Sequence, residues 1–342
     1  MTKGSTLKYI AKELGVSVST VSRAVNGKTV VNEETRKRVL DAAKKYSYTP
    51  NEIARSLKKS TTDTIAVVLP DISETFFGII VKEIERVVSR QGYMVILSDT
   101  HEKPEKEQKY IDMLFKRRVD ALVLATVDCK GESVKKFLDN GTPVVFIDNI
   151  PELENIDAIT INNRKASILA VEYLSSNGHK NIAGIFGSED ETTGAERFAG
   201  YKDGLLKCGI KYNSEVVALG DYKLESGYDA MKKLIEKRKI NPFTAVYVTS
   251  EKMTYGALRA IRDAGLRVPE DLSVIGFDIN NLADDRRQMI TTIRQPEKEI
   301  GKMVGDLLLN RLENADKDTP VKEYSRTLLE PILEKGDTVR KI

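Results

Sequence analysis

The pattern of hydrophobic and polar residues near the start of the chain predicts a short amphipathic helix. Its apolar residues recur at i, i+3, i+4 and i+7, the spacing of one helical face: Leu7, Ile10, Ala11 and Leu14. Thr6 is a suitable N-cap for this helix and Gly15 is a suitable stop, so we expect the helix to lie between them.

A second helix is predicted almost immediately afterwards. Ser17 is again a suitable N-cap, and the helical pattern continues from Val18 to Asn26. Two helices joined by so short a turn form a helix-turn-helix. A third helix is expected after Asn32. Its inner face is predicted to consist of Val39, Leu40 and Ala43. Residues 1–48 are therefore predicted to form an all-α helix-turn-helix headpiece.

The stretch "YTPNEIARSLKKS" predicts a further short helix, which together with the linker after it forms the hinge, residues 49–63. Thr49 and Glu52 make a capping box, and Pro50 occupies the first helical position. The helix has only about two turns, and isolated helices below ~12 residues are marginal in water. We expect it to form only when a symmetry-related copy and DNA hold it, with Leu57 as an apolar wedge in the minor groove.

From Thr64 onward the pattern changes to apolar runs that alternate with helical stretches. The runs are "TIAVVL", "YMVILS", "DALVLA", "PVVFID", "NIAGIFG", "AVYVTS" and "SVIGFD". This alternation predicts parallel sheets covered by helices on both faces, and hence an α/β core of two doubly wound lobes. Two segments repeat the order strand, helix, glycine, proline, strand, and end in Asp148 and Asp278. The predicted lobes are residues 64–161 plus 293–323, and residues 162–292 plus 324–342.

The net charge of +3 conceals an asymmetry between the two ends of the chain. Residues 1–60 contain 13 lysines and arginines against 5 acidic residues, whereas the remaining 282 residues contain 41 against 46. Phosphate neutralisation requires locally dense cations, so a basic head on an acidic body predicts that the head alone binds a polyanion. A merely solvated basic surface is the alternative on charge alone.

The second helix is small and poor in acidic residues, as a helix in the major groove requires. Val21 and Val25 are expected to face the other two helices. The residues expected to face outward are Val18, Ser19, Ser22 and Arg23. Arg23 suits a guanine and Val18 a thymine methyl group, whereas Thr20 and Asn26 are better placed for phosphates.

The run from "TLKYIAKELGVSVSTVSRAVNG" through "TRKRVLDAAKKYSYTPNEIARSLKK" resembles the headpiece and hinge of the lac repressor/galactose repressor family, and the similarity extends through nearly the whole chain. The resemblance implies base contacts from Val18, Ser19 and Arg23, and minor-groove insertion by Leu57 with Ala54 beside it. It also implies that residues 18 and 19 set operator preference, so the operator sequence stays open. The full set of expected DNA contacts is Ser17, Val18, Ser19, Thr20, Ser22, Arg23, Asn26, Asn51, Ala54 and Leu57.

Asp148 and Asp278 predict a ligand cleft between the lobes. Open α/β sheets bind ligands beyond the carboxyl ends of their strands, and paired carboxylates accept hydrogen bonds from the hydroxyls of sugars. Ordinary strand-end turns are the alternative for both residues. The resemblance implies a sugar-binding core like that of periplasmic binding proteins, with Arg197 and Asp278 as the best matches to effector ligands. The full set of expected effector contacts is Asp71, Phe76, Phe77, Asp148, Arg197, Tyr222, Ser250, Glu251 and Asp278.

One departure from the family pattern concerns the residues after "AVYV". The family commonly has Asn-Asp there, whereas this chain has Thr249, Ser250 and Glu251. We therefore expect a ligand that differs in size or charge from a simple hexose. A free sugar, a sugar phosphate, a nucleobase and an acidic metabolite all stay open.

The function predicted from the sequence is a repressor of transcription that responds to a small-molecule effector. It is expected to act as a homodimer on near-palindromic double-stranded operator DNA, because no run of three or four heptads predicts a tetramerisation tail. Whether the effector induces or corepresses, and whether a protein corepressor takes part, stays open. Without a secretory signal or an 18-residue apolar run, a cytoplasmic location with no membrane contact is expected.

Three other functions were weighed. An enzyme is disfavoured because the two histidines, His101 and His179, show no metal-ligand spacing, and no phosphate loop, nucleophile elbow or dinucleotide fingerprint occurs. No cofactor is expected, and Cys129 and Cys208 are interpreted as small buried side chains. A solute-binding transport protein would not need the basic head, and an architectural DNA-binding protein would not need the cleft.

Overall fold

The computed structural model describes residues 6–25, 31–48, 61–280, 289–314 and 323–342. The chain falls into two compact units, Met1–Thr62 and Asp63–Ile342. Across the described ranges, every helix is too short or too polar to cross a lipid bilayer.

The first unit contains three described helices that form a small bundle. They are α1 (Leu7–Leu14), α2 (Val18–Val25) and α3 (Glu33–Lys45). Each helix begins at the predicted polar cap: the backbone N–H of Tyr9 donates to Thr6, that of Thr20 donates to Ser17 and that of Thr35 donates to Asn32. Gly15 ends α1 in the left-handed region with φ 66°, where glycine carries no steric penalty.

The core of this unit is built from one apolar face of each helix. Its buried residues are Ile10, Ala11, Val21, Ala24, Val39, Ala42 and Ala43. The prediction for the inner face of α3 was wrong at Leu40, which is 44% exposed. Val39, Ala42 and Ala43 follow the i, i+3, i+4 spacing of one face, and Leu40 lies about 100° away from Val39 around the helix.

The second unit contains two six-stranded sheets. The first has the order β11-β5-β4-β3-β1-β2 and the second has the order β12-β10-β9-β8-β6-β7. The strands of the first sheet are β1 (Thr64–Leu69), β2 (Met94–Asp99), β3 (Ala121–Leu124), β4 (Val144–Ile147), β5 (Asp157–Ile161) and β11 (Arg326–Leu329). Those of the second are β6 (Ile182–Phe186), β7 (Val217–Leu219), β8 (Ala245–Val248), β9 (Ser273–Phe277), β10 (Thr292–Arg294) and β12 (Ile332–Glu334). All described strand pairs are parallel except β10 with β12.

Helices cover both faces of each sheet. In chain order they are α4 (Thr75–Val88), α5 (Pro104–Arg117), α6 (Lys135–Asp139), α7 (Asn163–Ser176), α8 (Thr192–Lys207), α9 (Leu224–Lys237), α10 (Glu251–Asp263) and α11 (Glu297–Glu313). Alternate residues of β1 serve the two faces: Val67 packs with α4 and α11, whereas Val68 packs with α5. In the second sheet Tyr247 packs with α7 and α8, whereas Val248 packs with α9 and α10. The predicted doubly wound parallel fold is confirmed.

One predicted lobe boundary needs correction. Residues 324–342 were assigned to the second lobe, yet β11 pairs with β5 in the first sheet, and only β12 returns to the second. Arg311 of α11 explains the attachment of β11, because its guanidinium makes two 2.8 Å hydrogen bonds to the buried carboxylate of Asp157, which also accepts the backbone N–H of Ser325. The chain thus crosses between the lobes after β5, after β10 and after β11.

Candidate functional site

The outer surface of α2 carries the predicted base-reading side chains. Val18 is 41% exposed, Ser19 and Arg23 are also exposed, and Ser22 is half-buried, whereas Val21 is buried. The helix therefore presents the side that the sequence predicted, and these contacts stay predictions. Four of the expected DNA contacts lie outside the described residues: Asn26, Asn51, Ala54 and Leu57.

Hydroxyl groups are hydrogen-bonded to one another at the start of α2. The Oγ atom of Ser17 lies 2.7 Å from that of Ser19 and 2.8 Å from Oγ1 of Thr20. Because Ser17 also accepts the backbone N–H of Thr20 at 3.0 Å, these polar groups form one cluster at the positive end of the helix dipole. Such an end favours a phosphate.

In the second unit, Asp148 and Asp278 occupy equivalent places in the two lobes. Asp148 follows β4 and Asp278 follows β9, and both adopt the left-handed region with φ 59° and 54°. Aspartate enters this region more readily than most residues, which lets the chain turn sharply at the end of the strand. The repeated order of strand, helix, glycine, proline and strand in the sequence therefore predicted that Asp148 and Asp278 occupy equivalent positions.

Arg197 of α8 connects the lobes at this edge. It is 5% exposed, its Nε donates to Asn163 Oδ1 at 2.8 Å, and its Nη1 donates to the carbonyl of Thr249 at 3.0 Å. Its guanidinium also lies over the ring of Phe277, 3.8 Å from the centroid. These contacts belong to the second lobe, whereas Nη2 is 4.0 Å from Asp148 of the first. Arg197 is thus a fixed cation pointed across the cleft.

The two aspartates are held in different ways. Asp278 accepts the backbone N–H and the side-chain Nε2 of Gln295 at 2.9 and 2.8 Å. Burial raises the pKa of Asp278 to about 7, against the opposing effect of Arg197. Burial likewise raises the pKa of Asp148, again opposed by Arg197. A ligand that donates hydrogen bonds would stabilise the charged form of both carboxylates.

A cavity of about 340 Å³ lies between the lobes. Its lining residues are Pro70, Glu74, His101, Glu102, Lys103, Thr126, Val127, Ser188, Glu191, Gly220, Asp221, Tyr222 and Lys223. Tyr222, the predicted stacking aromatic, lies in this wall with φ 63°. Its ring packs so closely on Gly187 that a Cβ atom there would be 2.0 Å from the tyrosine Cζ. The lack of a side chain at Gly187 therefore makes room for the aromatic wall.

The residues after "AVYV" join the lobes rather than line the cavity. Ser250 is the N-cap of α10 and accepts the backbone N–H of Met253 at 3.3 Å. Glu251 accepts a hydrogen bond from the hydroxyl of Thr75 at 3.5 Å. Next to it, Lys252 pairs with Asp71. Three predicted effector contacts, Asp71, Ser250 and Glu251, are thus engaged in capping and lobe-to-lobe contacts.

The expectation for Phe76 and Phe77 also needs correction. Both were predicted at the rim of the cleft, but they are 4% and 2% exposed and pack in the hydrophobic core between α4 and the first sheet. Their rings form an edge-to-face pair with centroids 5.0 Å apart. They occupy the apolar face of an amphipathic helix, so packing is sufficient to explain them.

A buried polar chain near the cavity was not predicted. The carboxylate of Glu107, which is fully buried, accepts hydrogen bonds from Thr126 Oγ1, Ser133 Oγ and the backbone N–H of Val127. Asn149 Nδ2 donates to the carbonyl of Thr126, and Asn149 Oδ1 accepts from Thr192 at the start of α8. The available signal was a polar residue two positions after a buried strand, as at Thr126 and Asn149.

The fold and the cleft define a class of protein: a helix-turn-helix unit followed by a two-lobed core like that of the periplasmic binding proteins. Two family models match the chain. "Bacterial regulatory proteins, lacI family" matches residues 6–51, and "Periplasmic binding proteins and sugar binding domain of LacI family" matches residues 62–329. The chain belongs to the LacI family of bacterial regulatory proteins, which confirms the predicted family.

Similar proteins span almost the whole chain. The HTH-type transcriptional repressor PurR of Histophilus somni is 34% identical over 93% of this chain and 96% of its own length. The repressor CytR of Escherichia coli K12 is 36% identical over 90% of each chain. Among solved structures, the lac repressor dimer bound to operator and the anti-inducer ONPF is 27% identical, with a TM-score of 0.83 over 99% of this chain and 100% of that chain. A CelR–cellobiose complex is 29% identical, with a TM-score of 0.73 over 98% and 99%.

Proposed function

We propose that this protein is a transcription repressor whose affinity for operator DNA is controlled by a small molecule, a sugar or sugar derivative, bound between the two lobes. The relatives support this proposal, because PurR and CytR are named as transcriptional repressors. The lac repressor structure holds an operator, and the CelR structure holds cellobiose.

The observation that carries the proposal is the position of Arg197. It is fixed by Asn163 and Thr249 in the second lobe and faces Asp148 of the first at 4.0 Å, too far for a hydrogen bond. A bound polyol would replace this loose ion pair by short hydrogen bonds to Arg197 and Asp148, and to Asp278 nearby. Charge-assisted hydrogen bonds of this kind contribute about 1.5–3 kcal/mol each. The ligand thereby changes how tightly the lobes close, and it acts by shifting the population of conformations.

On the DNA side, the exposed surface of α2 would enter the major groove, with Arg23 reading a guanine and Val18 a thymine methyl group. Two copies of the chain would place two headpieces on the half-sites of a near-palindromic operator. The hinge helices would pair over its centre, with Leu57 in the minor groove. Binding of effector and of operator must then be linked by the same free energy in both directions.

The cleft serves binding rather than catalysis in this proposal, and the protein acts in the cytoplasm, where its operator lies. A homodimer needs no metal or cofactor for this mechanism. Turnover of a bound sugar by the pure protein would contradict the binding role.

The proposal is tested in two steps. An operator is first selected from random duplexes, and its affinity is then measured by fluorescence anisotropy with sugars, sugar phosphates and nucleobases that raise the melting temperature of the protein. A ligand that binds only the native state stabilises it by about 2.7 kcal/mol at 100 times its Kd, so thermal shift detects it. We expect such a ligand to change operator affinity by about tenfold or more, which is a coupling of ordinary size. A ligand that stabilises the core but leaves operator affinity unchanged would overturn the proposal.

A further inference from the structure

Two glutamates occupy equivalent places in the two lobes and line the same cavity. Glu74 is the N-cap residue of α4, which follows the first strand of the first sheet, and Glu191 is the N-cap residue of α8, which follows the first described strand of the second. Neither side chain makes a capping hydrogen bond to its own helix, although an N-cap side chain usually accepts one. Both line the 340 Å³ cavity. The two lobes therefore present a carboxylate each to one enclosed space.

Two of the nearby lysines and Arg197 are engaged with other carboxylates. Lys223 Nζ lies 3.0 Å from Asp221 Oδ2 and 3.6 Å from Glu102 Oε2. Lys252 pairs with Asp71 and with the hydroxyl of Ser73, and Arg197 faces Asp148. Lys103 also lines the cavity. Within the described parts of the chain, no ion pair within 4.0 Å reaches Glu74 or Glu191, so both carboxyl groups are available to a ligand cation.

The charged neighbours of the two glutamates are mainly acidic. Burial and then the negative charge of Asp148 raise the pKa of Glu74 to about 8 and that of Glu191 to about 7. Asp71 and Asp278 also act on Glu74, with Lys252 opposing, and Glu102 acts on Glu191, with Arg197 and the nearby hydroxyl of Tyr222 opposing. At neutral pH the pair holds protons that a ligand cation can displace.

We propose that Glu74 and Glu191 clamp a protonated amine, so that the effector is an amine-bearing sugar or polyol. An ammonium group has three N–H donors, which is enough for one carboxylate on each side of the cleft. In a hydrogen bond from an ammonium group to a carboxylate both partners are charged, whereas in one from a hydroxyl only the acceptor is charged. The protons displaced from the glutamates pass to solvent when the amine binds.

This inference rests on the proposed function, because it names the chemical class of the effector for the same cleft. It goes beyond that function because a neutral or anionic effector would serve the repressor equally well.

The test uses compounds that differ only at one carbon: 6-amino-6-deoxyglucose, glucose and glucose 6-phosphate, together with the corresponding galactose series. Binding to the full-length protein is measured by calorimetry at neutral pH. We expect the amine to bind about tenfold more tightly than the alcohol and the phosphate in at least one series, because its donor is charged as well as the acceptor. The inference is overturned if in both series the alcohol or the phosphate binds as tightly as the amine, or if neither amine binds at millimolar concentration.

Variants locate the effect. Glu74→Gln and Glu191→Gln keep the size of the side chain, and each is expected to remove most of the preference for the amine over glucose. Glu236→Gln, on the exposed side of α9, makes the same change of net charge and should leave the preference intact. Urea unfolding of each variant confirms that it is folded. If both cavity variants still bind the amine more tightly than the alcohol, the proposed clamp is wrong.

Operator affinity is measured on the same samples. If the amine binds as expected but operator affinity does not respond, the proposed function fails while the clamp stands. If a neutral or phosphorylated sugar is the compound that binds and changes operator affinity, the clamp fails while the proposed function stands.

Discussion

Side chains at the two proposed binding surfaces differ in how firmly the structure holds them. Arg197 is packed on Phe277 and hydrogen-bonded by groups of its own lobe, so it does not have to be ordered when a ligand arrives. Asp278 is held in place in the same way by Gln295. Such preorganisation lowers the entropic cost of binding. By contrast, Arg23 of α2 is exposed, so a contact with DNA would have to order its side chain.

Replacement of Asp278 by alanine is expected to abolish the influence of the effector on operator binding while leaving operator affinity itself unchanged. The carboxylate is one of the ligands proposed for the effector and lies in the core unit, which does not touch DNA in the proposed mechanism. Anisotropy titrations with and without effector measure both quantities. Because the donors of Gln295 lose their acceptor, some cost in stability is expected, about 1–3 kcal/mol for an unpaired buried group. Asp278→Asn keeps an acceptor and serves as the second variant; a full response in both would remove Asp278 from the site.

Replacement of Arg23 by alanine is expected to weaken operator binding by about 1–3 kcal/mol and to relax base preference at one position in each half-site. The reason is that a bidentate contact to guanine distinguishes it from the other bases. Competition titrations with single-base operator variants measure the change. Lys37→Ala, an exposed residue of α3, controls for charge alone. Equal losses on operator and random DNA would contradict direct readout by Arg23.

The sequence predicted the positions of residues that directly follow a strand. It did not predict contacts between residues that are far apart in the chain. Asp148 and Asp278 lie at the carboxyl ends of their strands as expected, because ligand sites of open α/β sheets lie there, whereas Arg197 of α8 was expected only from the family resemblance. The pairing of Lys252 with Asp71 joins residues that are 181 positions apart, and no local pattern indicates it. The prediction for Phe76 was wrong because the sequence pattern of an amphipathic helix is the same whether its aromatic residue lies at the rim of a cleft or in the hydrophobic core.

At the scale of elements, the first turn of α10 connects the lobes. Glu251 accepts from Thr75, and Lys252 bridges Asp71 and Ser73, so this turn holds the loop between β1 and α4. The side chains of Lys252 and Asp71 are 27% and 26% exposed. Solvent therefore screens the pair, and ion pairs of this kind contribute up to about 1 kcal/mol. The contact is strong enough to bias closure of the lobes and weak enough to be broken by a ligand.

Lys252→Ala is expected to increase the open fraction of the ligand-free core by a few-fold, since loss of about 0.5–1 kcal/mol shifts a two-state equilibrium by that amount. Energy transfer between fluorophores placed on the two lobes reports the fraction directly. Lys232→Ala, on an exposed part of α9, is the control. Identical transfer efficiency in both variants and the wild type would show that this pair does not influence closure.

The C-terminal tail supplies a second element-scale prediction. His179 is fully buried between Thr244 and the carbonyl of Arg340, at 2.8 and 3.1 Å. Burial lowers its pKa below the ordinary value of 6.5. The unfolded chain therefore binds the proton more readily, so this group stabilises the fold above pH 6.5 and the stabilisation is lost as the pH falls below that value.

Urea unfolding between pH 8 and pH 5 should show this loss in the wild type, and the slope for one proton cannot exceed about 1.4 kcal/mol per pH unit. The difference between wild type and His179→Gln isolates the histidine from the cleft carboxylates, whose raised pKa values act in the opposite direction. Parallel pH curves for the two proteins would show that His179 does not titrate in this way.

At the scale of elements the sequence also predicted most of the sheets. The strand β1 begins and ends as its apolar run does, and the six other predicted runs each contain a strand. The strands β5, β7, β10, β11 and β12 were missed. Several are three or four residues long, such as Val217–Leu219, and some are edge strands with exposed side chains. A half-exposed strand of three residues is too short to show an alternating pattern of apolar and polar residues. Whether it forms a strand depends on the neighbouring strand with which it pairs.

At the scale of the whole molecule, charge is divided between the two units. The basic first 60 residues are suited to DNA, and the acidic remainder would be repelled by it. Removal of residues 1–60 is therefore expected to abolish DNA binding while ligand affinity stays within about twofold, because the cleft lies entirely in the second unit. Calorimetry and anisotropy on the truncated protein measure the two properties. Retained operator binding would place the DNA contact in the core.

The three crossings between the lobes also bear on how the molecule is made. The edge strands β11 and β12, at Arg326–Leu329 and Ile332–Glu334, close one side of each sheet. On the ribosome, neither half of the core can finish folding until these strands have been synthesised, long after the helices of the first unit have emerged. A premature stop codon shortly before residue 326 would thus leave two unfinished sheets behind an intact helical unit.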